Sequence, residues 1–497
     1  MNRFFYVAGT IILGLLTAQV ISTLHVRVSN IDLYQTLTAI KKAGYFSVPG
    51  QHVAHNLRLF GPAFFGGVFF TMSIGTGLSL VSFAGAWIWD RIFSRKRSFL
   101  VFLMVIWMGC LWSSNGKGFH PLVTAYFLFI PPVVFLVTLR WMPPRTEEGA
   151  WSEGVVHLIP VALLAILWML QLDNRMFLDF RDNILLSNSL GIKINDFYYK
   201  YTLYPAQVLK TLNQKTLKTC SLEQINKQST KGLLERGLLN NDYLNTGKIV
   251  PADLKIVEEG KLLIFFNNGK EILRTSLKDF LSSPKRVLNE FSLKSDGHAF
   301  FRRFTFFSLL TGLPFTLYIF VYALFRFTAN FFFNSRTSSV AASILCFFVG
   351  LGIIVPFHMD RDIRIDREGL AEALESKAWR ERVAALRYIQ QNRFEIAEFE
   401  AYKNMLSSPN IPERYWLAKT LGVSRRAETY KDLSILLDDS HLNVVCMAFH
   451  ALGNRKDYQA QAVKELKRGI EISNDWYSQW YAYKALRSLG WKQTRIE

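Results

Sequence analysis

The sequence predicts a mainly α-helical, polytopic membrane protein of about seven spans, with a small α+β extramembrane domain and a C-terminal α-solenoid. Three observations predict it. Half of the residues are hydrophobic and 14% aromatic, with 41 Phe, and they gather into runs near the ~20 residues needed to cross a bilayer. Between the fifth and sixth runs lies a long polar stretch with alternating, strand-like segments. After Phe357 the lipid-like composition stops and a helical pattern recurs to the end of the chain.

The first run, Phe4 to Leu24, follows Arg3 and has no clear small-x-small cleavage site, so it reads as an uncleaved first span. The polar segment His25 to Arg58 follows, with Ile31 to Ala43 expected as a short helix lying on the membrane. The second run, Leu59 to Trp89, is long enough that it must tilt or protrude. Along it Ala63, Gly67, Thr71, Gly75 and Ser79 recur every fourth residue, a small-residue stripe of the kind that lets helices approach closely in lipid. Phe99 to Trp112 is a short third run and Pro121 to Leu139 the fourth, in which Pro131-Pro132 should kink or break the helix. Val155 to Leu172 is the fifth, Thr305 to Phe325 the sixth and Ser338 to Phe357 the seventh.

These runs divide the chain into residues 1–172 (spans 1–5), 173–304 (the α+β domain), 305–357 (spans 6–7) and 358–497 (the repeat). In 173–304, Asp196 to Leu212 and Leu222 to Leu239 read as helical. Leu254 to Val257, Lys261 to Phe266 and Lys270 to Arg274 read as strands, joined by turns at Glu259-Gly260 and Asn268-Gly269.

The net charge of +19 does not indicate nucleic acid. The 173–304 segment carries +7 and the segment from His358 onward only +3, and the rest flanks the apolar runs. Cations there orient helices and meet anionic headgroups. With the N-terminus inside, Arg3, Arg91, Arg95, Lys96, Arg97, Arg140, Arg145, Arg326 and Arg336 are cytoplasmic, against Arg27, Lys41, Lys42, Arg58 and Lys117 outside. Seven spans then place both soluble modules on the outer side, which for a bacterial inner membrane is the periplasm.

Little chemistry is visible. The four cysteines form no CxxC pair and read as small buried hydrophobes. No P-loop, GxSxG, HExxH or dinucleotide fingerprint occurs. The spans hold almost no ionisable residues, which argues against an ion-coupled pump. Asp179, Arg181 and Asp182 read as a solvated helix face beyond the fifth span. His25, His52, His55, His120, His298 and His358 all fall near the outer face. Of these, His52, His55 and His120 are the candidates for a haem or metal, although no cofactor is predicted and no metal-ligand set is fixed.

The C-terminal pattern is Leu436-Leu437-Asp438-Asp439 leading into Val444, Ala448, Ala451 and Leu452-Gly453. Met405 to Leu421-Gly422 repeats it, with closing glycines 31 residues apart. A third copy, Asp475 to Leu489-Gly490, has Trp476, Tyr477, Trp480, Tyr481 and Tyr483 in place of smaller residues, and Leu374 to Ile389 is a degenerate first copy. This resembles the HEAT-type repeat over about a quarter of the chain. Glu413, where the pattern has Val, and Val445, where it often has Arg, depart from it. The resemblance implies a protein-binding solenoid. The expected function is a membrane-anchored scaffold or assembly subunit, not an enzyme, that docks a partner protein through the aromatic residues Trp476, Tyr477, Trp480, Tyr481 and Tyr483. The alternatives are a channel or transporter of a lipid-linked substrate, and a membrane subunit of an electron-transfer complex using the outer-face histidines.

Overall fold

A computed structural model describes residues 5–144, 150–170, 173, 175–247, 250–361, 363 and 365–495, with side chains described at all of these except 5, 51, 150–158 and 355–361. Arg3, Arg145 and the side chains of His157 and His358 therefore lie outside the described residues. Helix dominates, and the chain divides into two compact units. The first comprises residues 1–29, 60–177 and 297–358, and the second 30–59, 178–296 and 359–497. The segments expected as two separate soluble modules thus share one unit with residues 30–59.

Helix α1, Phe5–Lys42, runs straight through the boundary expected near Leu24 and absorbs the short helix expected over Ile31 to Ala43. No proline and no glycine stands between Gly14 and Gly44 to interrupt it. At 38 residues it is roughly 57 Å long at 1.5 Å per residue, beyond the bilayer core. It stops at Gly44, whose φ of 80° needs a glycine-like conformation. Helix α2, Phe60–Arg91, follows, then α3, Arg97–Asn115, α4, Pro121–Trp141, and α5, Ala150–Met169. After the second soluble stretch come α9, Ala299–Ala329, and α10, Ser335–Arg361. Six helices among the described residues are long and apolar enough to cross a membrane; of α5, Ile159–Met169 is the apolar part that is described. Pro131 and Pro132 lie inside α4 without ending it.

Within the first unit the small-residue stripe of α2 is buried and meets a matching stripe on α1. A Cβ on Gly67 would lie 2.9 Å from Ser22 Oγ, one on Gly75 2.7 Å from Ala18, and one on Gly14 would overlap Ser79 Oγ. Gly14, Ala18 and Ser22 are themselves four apart, so two stripes zip together. Thr71 donates to Gln19 Oε1 at 2.7 Å, and Gln19 Nε2 donates to the Phe64 carbonyl at 2.9 Å, which pairs these polar groups within the seam, whereas the Ser79 hydroxyl has no hydrogen-bond partner among the described residues. Each of α2 and α9 contains a π-turn, Thr71–Gly75 and Ser308–Gly312. The helices cross where Gly312 approaches the Gly77 amide nitrogen so closely that a Cβ would lie 3.0 Å from it.

The second unit contains a five-stranded mixed sheet in the order β2-β1-β3-β4-β5. The strands are β1 Lys218–Gln224, β2 Tyr243–Asn245, β3 Leu254–Glu259, β4 Leu262–Asn267 and β5 Lys270–Ser276. Helix α6, Ser189–Tyr201, precedes it; α7, Gln228–Leu239, connects β1 to the parallel β2; α8, Pro284–Ser295, closes it. The three expected strands form the antiparallel meander β3-β4-β5, and Asn268 and Gly269 adopt positive φ at the hairpin. The expected helix over Leu222 to Leu239 is corrected at its start, since Leu222 to Gln224 belong to β1. That strand is central and buried from Lys218 to Leu222, so it lacks the alternation that marks a half-exposed strand. Cys220, Leu222, Leu238, Phe265, Phe280 and Phe291 form the core beneath the sheet.

The C-terminal helices of this unit are α11 Trp379–Asn392, α12 Ile411–Leu421, α13 Ala427–Ile435, α14 Leu442–Leu452, α15 Gln459–Ile472 and α16 Trp476–Ser488. Helices α11, α12, α14 and α16 pack side by side in chain order, with α13 and α15 between successive members. Gly422 abuts Ala451 of the next copy, and Gly453 abuts Ala485 of the one after. The same turn recurs four times: Ser376, Ser408, Asp439 and Ser473 each accept the backbone N–H two residues on, at 3.1, 3.1, 2.8 and 3.1 Å. Arg382, Arg414 and Gln479 each donate to the carbonyl six residues back. Glu413, the departure from the expected pattern, is buried and takes both the Arg382 guanidinium and the Ser408 hydroxyl.

Candidate functional site

The row α11, α12, α14 and α16 meets other parts of its own chain within the second unit. Just beyond Phe180 the π-turn Arg181–Leu185 aims Asp182 at this row. The Asp182 carboxylate, 1% exposed, accepts from Arg181 at 2.6 and 2.8 Å, from Arg387 of α11 at 2.9 Å and from the Trp416 indole of α12 at 2.9 Å. Asp179 lies 3.5 Å from Arg387. The Arg181 guanidinium sits 3.7 Å from the centre of the Tyr415 ring, and Arg387 and Lys419 flank Trp416 at 4.6 and 4.4 Å. Burial works against the Arg181 charge, but Asp182 together with Tyr415 and Tyr199 outweighs it and the group is held cationic. Asp179, Arg181 and Asp182 are therefore buried, not the solvated face expected from their sequence.

Further along the row, Asn443 of α14 exchanges hydrogen bonds with Asn195 of α6 at 2.8 and 3.2 Å. On α16, Tyr477 packs on Tyr199 at 4.7 Å and on Tyr198 at 6.4 Å, and Trp476 meets Tyr204 edge-on at 5.2 Å. Burial pushes the phenols of Tyr199, Tyr477 and Tyr481 up, so these rings stay neutral at any physiological pH. Tyr483 donates to Asp242 at 2.6 Å, and Arg487 reaches the same carboxylate at 3.1 Å and the Asn240 carbonyl at 2.7 Å. Gln479 accepts the Gly50 N–H at 2.7 Å, and Gln493 brackets the Phe46 backbone at 3.2 and 2.9 Å. Arg495 closes the row on Glu235 at 2.6 Å and Tyr45 at 3.0 Å.

The five aromatic residues expected to dock a partner are thus placed unevenly. Trp476 and Tyr483 are buried against the chain's own segments, and Tyr477, Trp480 and Tyr481 are half-buried. Trp480 carries Lys484 over its ring at 3.6 Å. The sequence carried no sign of the Asp182 cluster beyond an adjacent Arg-Asp pair, because its other members come from two further helices.

The histidines fall into two groups. His52 and His55 stand exposed on the helical turn Gln51–Asn56 of the second unit. His120 is in the first unit, with its ring 4.3 Å from that of His298. In the same unit His25 is 7% exposed, stacked on Phe70 at 5.8 Å and tilted against Tyr126 and Phe301 at 5.8 and 6.0 Å. Its Nδ1 and the Tyr126 hydroxyl have no hydrogen-bond partner among the described residues. Among those residues no three His, Cys, Asp or Glu side chains converge as metal ligands. Cys220 and Cys446 are buried, which pushes both thiols up and away from the reactive thiolate.

No known protein family, curated protein or solved structure matches the chain.

Proposed function

We propose that the protein is a membrane-anchored scaffold subunit whose C-terminal helices form a HEAT-like solenoid, held rigid by its own chain and offering its outer layer to a partner protein. The observation that carries this reading is the Asp182 cluster. A buried carboxylate that ties the first two helices of the row to the segment entering the α+β domain fixes the row in place. The four recurring turns and the glycine-to-alanine contacts support the solenoid, since successive copies bury apolar residues against one another. Partner contact then falls on α13 and α15, where Ile435 and Ile472 stand exposed among charged residues. The close-packed α1–α2 seam suits an anchor better than a transport path.

The proposed topology is multi-pass in a bacterial inner membrane, N-terminus inside and the whole second unit outside. Its three stretches are separated by even numbers of long helices. Four (α2 to α5) lie between residues 59 and 178, and two (α9 and α10) between 296 and 359. A single compact unit needs that parity, and so favours α5 as a crossing. The basic cluster at Arg91 to Arg97 favours that end of α2 as cytoplasmic.

A second reading, a membrane subunit that handles protons or electrons, is favoured by His25 and Tyr126, buried polar groups in an apolar unit. One experiment separates the two: affinity purification in mild detergent, with a visible spectrum and identification of co-purifying proteins. A stoichiometric partner lost on changing Ile435 and Ile472 to Asp supports the scaffold. A Soret band overturns it in favour of the redox subunit.

A further inference from the structure

The geometry points to a binding site for the phosphate headgroup of an acidic phospholipid in the turn between α2 and α3. The chain there reads Trp89-Asp90-Arg91-Ile92-Phe93-Ser94-Arg95-Lys96-Arg97, with four cations and one anion in nine residues. The turn walls a cavity of about 280 Å³ lined by Asp90, Ser94, Arg95, Met142, Pro143 and Pro144, all in the first unit. Arg91 donates to the Pro143 carbonyl at 2.5 Å and so fastens the two walls together.

Asp90 does not make the cavity acidic. Its carboxylate is shared between Arg95 at 2.7 Å and Arg91 at 3.5 Å, so two guanidiniums more than neutralise it, and Lys96 and Arg97 add to the excess. Arg95 remains 61% exposed and keeps N–H groups for an oxyanion, the planar fork that suits phosphate.

A lipid, and not a free phosphate, is indicated by what surrounds the cations. Phe93 stacks on Phe99 at 4.1 Å, Ile92 is half exposed, and Trp141 is exposed beside the cavity residue Met142. Apolar and aromatic side chains at the rim of a cationic cavity suit a ligand with acyl chains, and Trp is enriched at the headgroup level.

The test uses the full-length protein, purified and delipidated in detergent. Thermal stabilisation is titrated with phosphatidylglycerol, with phosphatidylcholine, and separately with inorganic phosphate and glycerol phosphate. Phosphatidylglycerol is expected to shift melting where phosphatidylcholine does not. Arg95→Gln with Lys96→Gln is expected to weaken that response about ten-fold, in line with the loss of charge-assisted hydrogen bonds. Arg27→Gln, which removes an exposed cation on α1, is the control and should leave it unchanged. An equal response from the double variant overturns the site. Saturation by the soluble phosphates at the same concentration overturns the lipid assignment in favour of a free phosphate group.

Discussion

Asp182 and Trp416 are 234 residues apart in the chain, yet the indole N–H donates to the buried carboxylate at 2.9 Å. The same carboxylate accepts from Arg181 and Arg387, so it serves two guanidiniums and one indole N–H. Its removal leaves the buried Arg181 guanidinium without its partner carboxylate, while Arg387 keeps Asp179 at 3.5 Å. Asp182→Ala is expected to destabilise the second unit by about 3–5 kcal/mol, the cost of breaking a buried pair from one side. Glu471→Ala, an exposed acid on α15, should stay within about 0.5 kcal/mol of the native protein. Limited proteolysis along a denaturant series reads both. Equal resistance of the two variants sinks the role assigned to Asp182.

The glycines that close each copy predict a second result. A Cβ on Gly422 would sit 2.7 Å from the Ala451 Cβ and 2.9 Å from its Cα, with backbone that cannot yield. Gly422→Val should therefore cost about 1–3 kcal/mol through overpacking. Gly232 lies inside α7, and a methyl group added there would meet nothing within 4 Å. Gly232→Ala should instead stabilise by up to about 1 kcal/mol, the helix-propensity difference. Melting temperatures that move in the same direction for both would contradict the packing argument.

Lys210 gives a pH signature. Burial, with Lys484 and Lys215 nearby, lowers its pKa to about 8. At pH 8 about half of this amine is neutral, against roughly 0.3% of an ordinary lysine. Acylation at pH 8 followed by peptide mapping should label Lys210 well ahead of the exposed lysines. The linkage has a definite sign. A base depressed in the fold contributes stability above its unfolded pKa and loses it as pH falls through about 8. Lys210→Met should therefore stabilise the protein most below pH 8, with the gain fading toward pH 10.5. A gain independent of pH would refute the cause.

The long apolar helices were legible because their length and composition are local properties of the chain. The Asn268-Gly269 hairpin was legible because its turn chemistry is local. The buried Asp182 was not, because an Arg-Asp pair near a span end looks the same whether water or Arg387 and Trp416 surround it. Strand β1 was hidden by its polar residues Lys218, Thr219 and Ser221, which are buried within the sheet. The aromatic face of α16 was visible as a docking surface, but periodicity cannot distinguish a foreign partner from Tyr198, Tyr199 and Tyr204 of the same chain.

The seam between α1 and α2 separates an anchor from a conduit. Gly14 and Ser79 are so close that a methyl group on Gly14 would overlap the Ser79 hydroxyl and lie 2.6 Å from Val134. In lipid the association of two such helices depends on packing and not on hydrophobic burial, so one bulky residue there has no compensating gain. Gly14→Leu should lower the folded fraction seen by size exclusion in detergent. Gly109→Leu, on α3 with open space around it, should not. The same closeness predicts that Ser79→Cys is inert to a small membrane-impermeant thiol reagent, while a cysteine at exposed Lys41 reacts. A water-filled path along the stripe requires the opposite, with Ser79→Cys labelled and protected by a transported substrate. Labelling at residue 79 in intact vesicles would therefore overturn the anchor reading and leave the transporter in its place.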